Sequence, residues 1–245
     1  FSHKAPVDQL MTSYLSNTLL LVGTATVLSL IISLILGLLS GWWYKRKGER
    51  WLLKGMLGLS ALPEFLVGLV LLLVFAVHIP LFPMSGATTP FLQEASTFQV
   101  IIDRLRHAFL PIVTLTLVNL SSLYLLMRNS TIQILETPYI EFAKMKGISI
   151  RRLLTKHVAN NAILPIYTLM TIRIGSTLVG AVFVETVFSY PGVGNLLQEA
   201  IISSDYPLMH GLFLLFTVLP IGLNALADLT YSKLDPRLKK GGDVH

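Results

Sequence analysis

Three charged side chains lie where charge is expensive. Glu64, Arg173 and Glu185 each fall inside or at the rim of an apolar run long enough to cross a hydrocarbon core of about 30 Å. Arg173 sits about twelve residues into its run; at about 1.5 Å per residue that is roughly 18 Å, near a bilayer midplane. An unpaired charge there costs at least about 2.5–3.5 kcal/mol. Two chemistries would remove that cost. Arg173 could line an aqueous path and attract an anionic group of a solute. Alternatively it could be neutralised internally, with Glu64 the carboxylate at the nearest depth. Glu185 ends its run shortly before Pro191-Gly192-Val193-Gly194, a tight-turn sequence, and reads either as a residue of an external gate or as a packing residue.

Other chemistry is missing from the sequence. There is no cysteine, so no disulfide and no thiolate metal site. The six histidines are scattered, with none spaced four apart, so a metal centre is not expected. No Gly-x-x-x-x-Gly-Lys-Ser/Thr phosphate loop, His-Glu-x-x-His pair or Gly-x-Ser-x-Gly elbow occurs. The chain is expected to have no catalytic residue and to bind no cofactor of its own.

The elements that must hold those charges are membrane helices. Of the 245 residues, 53% are hydrophobic and only 13% charged, against about 25% charged in soluble domains. The mean hydropathy is +0.68. Five apolar runs stand out: Thr18–Ser40, Met56–Val77, His107–Met127, Ala162–Val187 and Pro207–Leu229. The spacing therefore predicts an all-α integral membrane protein with five transmembrane helices. Gly37 and Gly41, four apart, would permit close helix approach, although glycine is common in such helices anyway. Asn119 and Asn224 read as interhelical hydrogen-bonding residues, and Asp228 as a solvated helix end or a subunit contact. Between the second and third runs the chain is broken by Pro80, Pro83, Gly86 and Pro90, with a short helix expected over Gln93–Leu105. After Gly194 the stripe Leu196, Leu197, Ala200, Ile201 marks a short amphipathic helix. It could rest on the membrane, close an outer gate or meet a binding protein. No repeat, low-complexity tract or second domain is visible.

Basic residues orient the helices. Fifteen Lys and Arg fall in the segment Lys45–Lys54, the segment after Met127 and the tail, and three on the opposite side. By the positive-inside rule the richer side is cytoplasmic, which places Phe1 outside and His245 inside. The same pattern accounts for the net charge of +6 without nucleic acid. An external start without a visible signal peptide predicts a further helix, a sixth, ahead of this chain.

One cytoplasmic stretch, Pro138–Asn161, is long, charged and helix-patterned. Thr137-Pro138 is a helix start, with a capping hydroxyl and then proline at the first helical position. Glu141 falls in the first turn, and Gly147 supplies a left-handed stop. Ser149 can cap a second helix, with Ile148 and Leu153 at staple spacing. In that helix Ile150, Leu153, Leu154, His157 and Val158 share one face, while Arg151, Arg152 and Lys156 lie elsewhere. Physically, this pair of helices could lie on an anionic membrane surface or dock against a protein.

Glu141-Phe142-Ala143, then Gly147, His157, Asn160-Asn161 and Leu164-Pro165, resemble the EAA signature of ABC importer permeases. Phe142 stands where that family favours alanine. Glu185-Thr186-Val187-Phe188-Ser189-Tyr190-Pro191-Gly192-Val193-Gly194 is similar to the connector of the dipeptide, oligopeptide and nickel branch, which more often has Trp at position 190. Asp205-Tyr206-Pro207, Leu234-Asp235-Pro236-Arg237, Phe1-Ser2, Pro6-Val7 and Asn17-Thr18-Leu19 also match that branch. The resemblance covers essentially the whole chain. It implies a type I ABC importer permease fold in a bacterial or archaeal inner membrane. Residues 1–16 would be an extracytoplasmic segment, 17–245 one transmembrane domain, and 137–161 its coupling segment. It implies as partners a second permease subunit (a paralogue), two cytosolic ATPases carrying ATP and Mg, an extracytoplasmic binding protein and the lipid bilayer. The ATPase-coupling residues would be Glu141, Ala143, Gly147, Ile150, Leu153, Leu154 and His157. Pathway or gate candidates are Arg173, Glu64, Glu185, Pro191, Gly192 and Gly194. The implied cargo is peptide, with nickel or a metal chelate as the alternative. A secondary transporter or channel without an ATPase is the different-class alternative; inverted repeats, interrupted helix pairs or several midplane charges would mark it.

Overall fold

A computed structural model describes residues 7–90 and 96–234. Nine α-helices are described: α1 Val7–Trp42, α2 Lys47–Ser60, α3 Glu64–Leu72, α4 Thr97–Leu135, α5 Pro138–Met145, α6 Ile150–Arg152, α7 Ala159–Val187, α8 Val193–Ile202 and α9 Tyr206–Leu234. Two π-helical turns, Leu73–His78 and Leu153–Val158, continue α3 and α6. No strand occurs among the described residues. Three described helices, α1, α4 and α9, are long and apolar enough to cross a membrane. The broken pair α2 and α3, with its π-turn, makes a fourth if counted as one interrupted span. Helix α7 has 29 residues, also a spanning length, and its described apolar portion is Gly175–Val187.

Several expected boundaries move. Helix α1 begins at Val7 instead of Thr18, so residues 7–16 are its first turns; no glycine or proline interrupts them, and Met11, Tyr14 and Leu15 pack against a hydrophobic core. The expected single run Met56–Val77 is two helices. Helix α2 starts at Lys47, and the chain breaks ahead of Pro63, which has no N–H to continue a helix and heads α3 instead. The expected short helix over 93–105 is not separate. From Thr97 the chain runs straight into the third span, through Pro111, and on to Leu135; residues 93–95 lie outside the described residues. Helix α9 runs five residues past the expected Leu229, to Leu234. The side chain of Asp228, and the motif residues Phe1-Ser2, Pro6 and Asp235-Pro236-Arg237, lie outside the described residues.

The chain forms two compact units. The first takes the chain up to Leu28, Ser60–Asn119 and Thr177–Val218; the second takes Ser29–Leu59, Leu120–Ser176 and the chain from Leu219. In the first, Val193, Leu196 and Ala200 of α8 bury against Leu208 and Leu212 of α9, with Met11, Tyr14 and Leu15 of α1 around them. The Thr177 hydroxyl donates to Asn119 Oδ1 at 3.3 Å, the interhelical bond expected of Asn119. In the second, Leu123 and Met127 pack on Ala162 and Ile166. Here the glycine pair of α1 proves structural: a Cβ on Gly37 would lie 2.5 Å from Met127 Cβ, and one on Gly41 2.5 Å from a Thr131 methyl. The two backbones meet closely because those positions carry no side chain. The Oδ1 of Asn224 is buried without a hydrogen-bond partner among the described residues.

Candidate functional site

The corner from Pro138 to Asn161 lies within the second unit. Pro138 opens α5, as its fixed φ favours. Thr137 has the extended backbone of a cap but not the capping bond; its hydroxyl donates back to the Ile134 carbonyl at 2.7 Å. Gly147 closes α5 at φ +73. Its N–H donates to the Lys144 carbonyl at 2.9 Å, and that of Ile148 to the Ala143 carbonyl at 3.4 Å, the paired bonds of a Schellman motif. Ser149 likewise makes no side-chain cap bond. The expected second helix is not a separate short one. From Ile150 the chain passes through three α-helical residues and the Leu153–Val158 π-turn directly into α7. The sequence allows this, because no glycine or proline occurs between Ile150 and Leu164.

The faces of this corner also differ from expectation. Ile140 and Ala143 of α5 bury against Leu153 and Val158, with Trp42, Leu135, Ile148 and Leu154 around them. Leu153 and Val158 point into the chain's own core, whereas Ile150 is 58% exposed. Of the expected face, Leu153, Leu154 and Val158 turn inward onto the chain's own core, His157 is half-buried, and Ile150 alone is left outside. What the corner leaves outside is Tyr139, Phe142, Met145 and Ile150, with Met145 74% exposed. Glu141 is also exposed. The Tyr139 hydroxyl hydrogen-bonds His157 Nδ1, which ties α5 to the π-turn.

The connector after α7 belongs to the first unit, and Glu185 is its fully buried centre. Helix α8 starts with its first amides unpaired by its own turns. The Gly194 N–H donates to Glu185 Oε2 at 2.7 Å and the Asn195 N–H to the same oxygen at 3.4 Å. The Val193 N–H donates to the Thr18 hydroxyl at 2.9 Å, and that hydroxyl donates to Glu185 Oε1 at 2.5 Å. One carboxylate and one hydroxyl thus satisfy three orphan donors at a helix end whose dipole favours negative charge. Asn17 Nδ2 adds a bond to the Pro191 carbonyl at 2.8 Å. A Cβ on Gly192 would overlap the Glu185 carboxylate, and one on Gly194 the Val182 backbone. Burial raises the pKa of the neighbouring Tyr190 hydroxyl; the Glu185 charge adds to the rise and Arg104 opposes it. Of the apolar stripe on α8, Leu196 and Ala200 are buried in the unit's own core, and Ile201 is 50% exposed.

Glu64 opens α3 in the first unit, and its carboxylate occupies the space a Cβ on Gly180 would need. Arg173 is half-buried in α7, in the part of it that belongs to the second unit.

Sequence reading missed the roles of five residues. Asn17 and Thr18 belong to the Asn17-Thr18-Leu19 motif, but nothing in their types said that they close the connector 174 and 175 positions away. Tyr139 gave no signal. The pair Glu49–Arg128 is the largest omission. Arg128 is 8% and Glu49 3% exposed, Arg128 Nε and Nη2 lie 2.7 and 2.6 Å from Glu49 Oε1, and the Tyr44 ring stands 5.4 Å from the guanidinium. The available signal was that Glu49 is the lone acid in a basic run.

The described spans and two helical units define a polytopic, all-α membrane protein. The family described as "Binding-protein-dependent transport system inner membrane component" matches residues 33–240, and the chain belongs to that family. It is 34% identical over 235 residues to the oligopeptide transport system permease protein AppB of Bacillus subtilis, covering 96% of this chain and 72% of that protein. It is 32% identical over 195 residues to the dipeptide transport system permease protein DppB of Escherichia coli K12, covering 73% of this chain and 58% of that one. An inward-facing structure of the MetNI methionine ABC transporter superposes with a TM-score of 0.75 at 15% identity, covering 95% of this chain and all of the other. The fold is therefore that of a type I ABC importer permease. The chain is a non-catalytic, inner-membrane subunit of such an importer, which works with an ATPase and a substrate-binding protein.

Proposed function

We propose that this permease helps form the route by which peptides enter the cell and couples it to ATP hydrolysis at the corner Pro138–Asn161. The observation that carries the coupling role is the shape of that corner. Ile140, Ala143, Leu153 and Val158 fix it to its own unit, while Phe142, Met145 and Ile150 stay exposed for a partner. In this reading Ala143, Leu153 and Leu154 hold the corner from beneath, Gly147 sets its turn, and Glu141 and Ile150 meet the ATPase. His157 holds Tyr139 in place. The relatives named for oligopeptide and dipeptide transport support peptide over nickel as the cargo.

The complex would hold a second, paralogous permease and two ATPases carrying ATP and Mg, with the C-terminus of this chain cytoplasmic and its first residues outside. Arg173 and Glu64 border the route, and Glu185, Pro191, Gly192 and Gly194 act at its outer side by fixing α8. Alternating access follows as a rigid-body rocking driven from the corner.

Vesicles holding the whole complex should take up labelled peptide only with ATP inside and the binding protein outside. Met145→Glu should abolish ATPase co-purification while the permease remains in the membrane. Uptake of nickel but not peptide would sink the cargo assignment. An ATPase still bound and coupled in Met145→Glu would sink the docking face. Unchanged uptake affinity and rate in Arg173→Gln would remove that residue from the route.

A further inference from the structure

Helix α2 has two faces with opposite partners. Glu49 is buried and Leu52, Leu53, Met56 and Leu59 are half-buried, at helical spacing along one side. Lys47, Arg50, Trp51 and Lys54 are exposed along the other. The turn before α2 extends the exposed side. Lys45 adopts φ +71, uncommon for a non-glycine residue, and turns the chain from α1 into α2. Trp43, Tyr44, Lys45 and Arg46 are left exposed there. The Lys45 ammonium stands 5.2 Å from the Tyr44 ring and that of Lys54 5.2 Å from the Trp51 ring.

The single acid of this run does not soften the surface. Glu49 is turned inward and held by Arg128. What remains is five cations and three large aromatic rings, with no exposed carboxylate between Trp43 and Lys54. Trp51 is 74% exposed, so it is not part of this chain's core. Clustered cations match phosphate, and Trp and Tyr beside them favour the depth of lipid headgroups over bulk water.

We infer that Trp43–Lys54 is a binding surface for anionic phospholipid headgroups, which anchors α2 at the bilayer surface. Orientation alone would need only the count of cations. Withdrawal of the acid and interleaving of exposed aromatic rings go beyond that. An acidic protein surface would satisfy the cations but gives no reason for Trp51, 74% exposed, to stand under Lys54. The inference needs the chain to lie in a membrane and is independent of the cargo.

The test uses the assembled transporter in phosphatidylcholine vesicles containing a fixed fraction of brominated lipid. The three tryptophans of this sequence all lie in residues 42–51, and the Trp51 component is isolated by difference against Trp51→Phe. Brominated phosphatidylglycerol should quench that component at least about fivefold more effectively than brominated phosphatidylcholine, the effect of a single cation at an anionic surface. Replacing Lys45, Arg46, Lys47, Arg50 and Lys54 by Gln should remove the preference, and replacing the three lysines by Arg should keep it. If the fivefold variant does not assemble, the pair Arg50→Gln and Lys54→Gln should reduce the preference measurably. Equal quenching by the two lipids, or a preference that survives neutralisation, overturns the inference. So does a photo-crosslinker at position 51 that captures a protein subunit instead of lipid.

Discussion

Gly147 and the pair Gly192 and Gly194 stop or start helices in two different ways. Gly147 sits at φ +73, and nothing lies within 4 Å of where a Cβ would be. Gly192 has an ordinary extended backbone at φ −114, yet a Cβ there would strike the Glu185 carboxylate. The first glycine is required by handedness and the second by space. A left-handed position penalises any L side chain but is tolerant of size, whereas a close approach penalises the first added atom whatever its conformation. The corner can therefore be stiffened or loosened by backbone chemistry alone. The connector depends on a buried carboxylate that has no room to move.

The largest expected effect is at that carboxylate. Glu185→Ala would orphan the Gly194 and Asn195 amides at the start of α8 and leave the Thr18 hydroxyl only its long bond to the Tyr14 carbonyl, at 3.5 Å, as a donor. At about 1–3 kcal/mol for each of the two unpaired amides, the loss should be about 2–6 kcal/mol. It should appear as a large drop in the melting temperature of the purified complex and as new protease cleavage in the Ser189–Tyr206 connector. Glu185→Gln should be milder, because one oxygen remains to accept. A connector that resists protease equally in Glu185→Ala is not held by the carboxylate, and the contrast with Gly147 collapses.

Next comes Gly194→Ala. Its Cβ would meet backbone, which cannot swing aside like a side-chain tip, so overpacking of about 1–3 kcal/mol is expected. Adding a smaller group elsewhere would not relieve it; Val182 meets the new atom with its Cα. Gly147→Ala should cost less, about 1–2 kcal/mol for the left-handed backbone. Gly147→Asn should recover much of that, since asparagine tolerates this conformation. ATPase coupling ratios and melting temperatures of the three variants rank them directly. If Asn and Ala behave alike at Gly147, handedness is not what the corner requires.

How much was legible depended on whether a residue acts through its neighbours in sequence. Pro138 and Gly147 do, and both helix limits they signal are found. The spans are compositional, so α1, α4 and α9 were visible, although their ends were not: Val7–Asn17 is polar enough to read as a segment outside the helix and is helical all the same. The break ahead of Pro63 was readable from proline chemistry but was outweighed by a run of apolar residues on both sides. The connector was recognisable as a motif, yet the reason for its glycines was not, because Thr18 and Glu185 meet across 167 positions. Glu49–Arg128 was hidden for the same cause, at a separation of 79. The face assigned to Ile150–Val158 was legible except at Ile150: Leu153, Leu154 and Val158 turn inward together, and the π-turn that carries them leaves no mark in a period-of-3.6 pattern.

The smallest expected effect sharpens the contrast at the corner itself. Thr137 and Ser149 have the residue types and the extended backbones of N-caps, for which replacement by Ala typically costs about 1 kcal/mol. Neither side chain makes a capping bond here. Ser149→Ala should therefore change the melting temperature and the coupling ratio little, by less than about 0.5 kcal/mol, as for a surface substitution. Thr137→Ala removes only the bond to the Ile134 carbonyl, an acceptor that still takes the Thr137 N–H at 3.0 Å, and should also fall well short of a lost cap. If so, the corner owes its geometry to the Gly147 turn and to burial of Ile140, Ala143, Leu153 and Val158. A loss of 1 kcal/mol or more in Ser149→Ala would instead show that hydroxyl capping shares the burden, and that the turn is less dependent on Gly147 than its backbone implies.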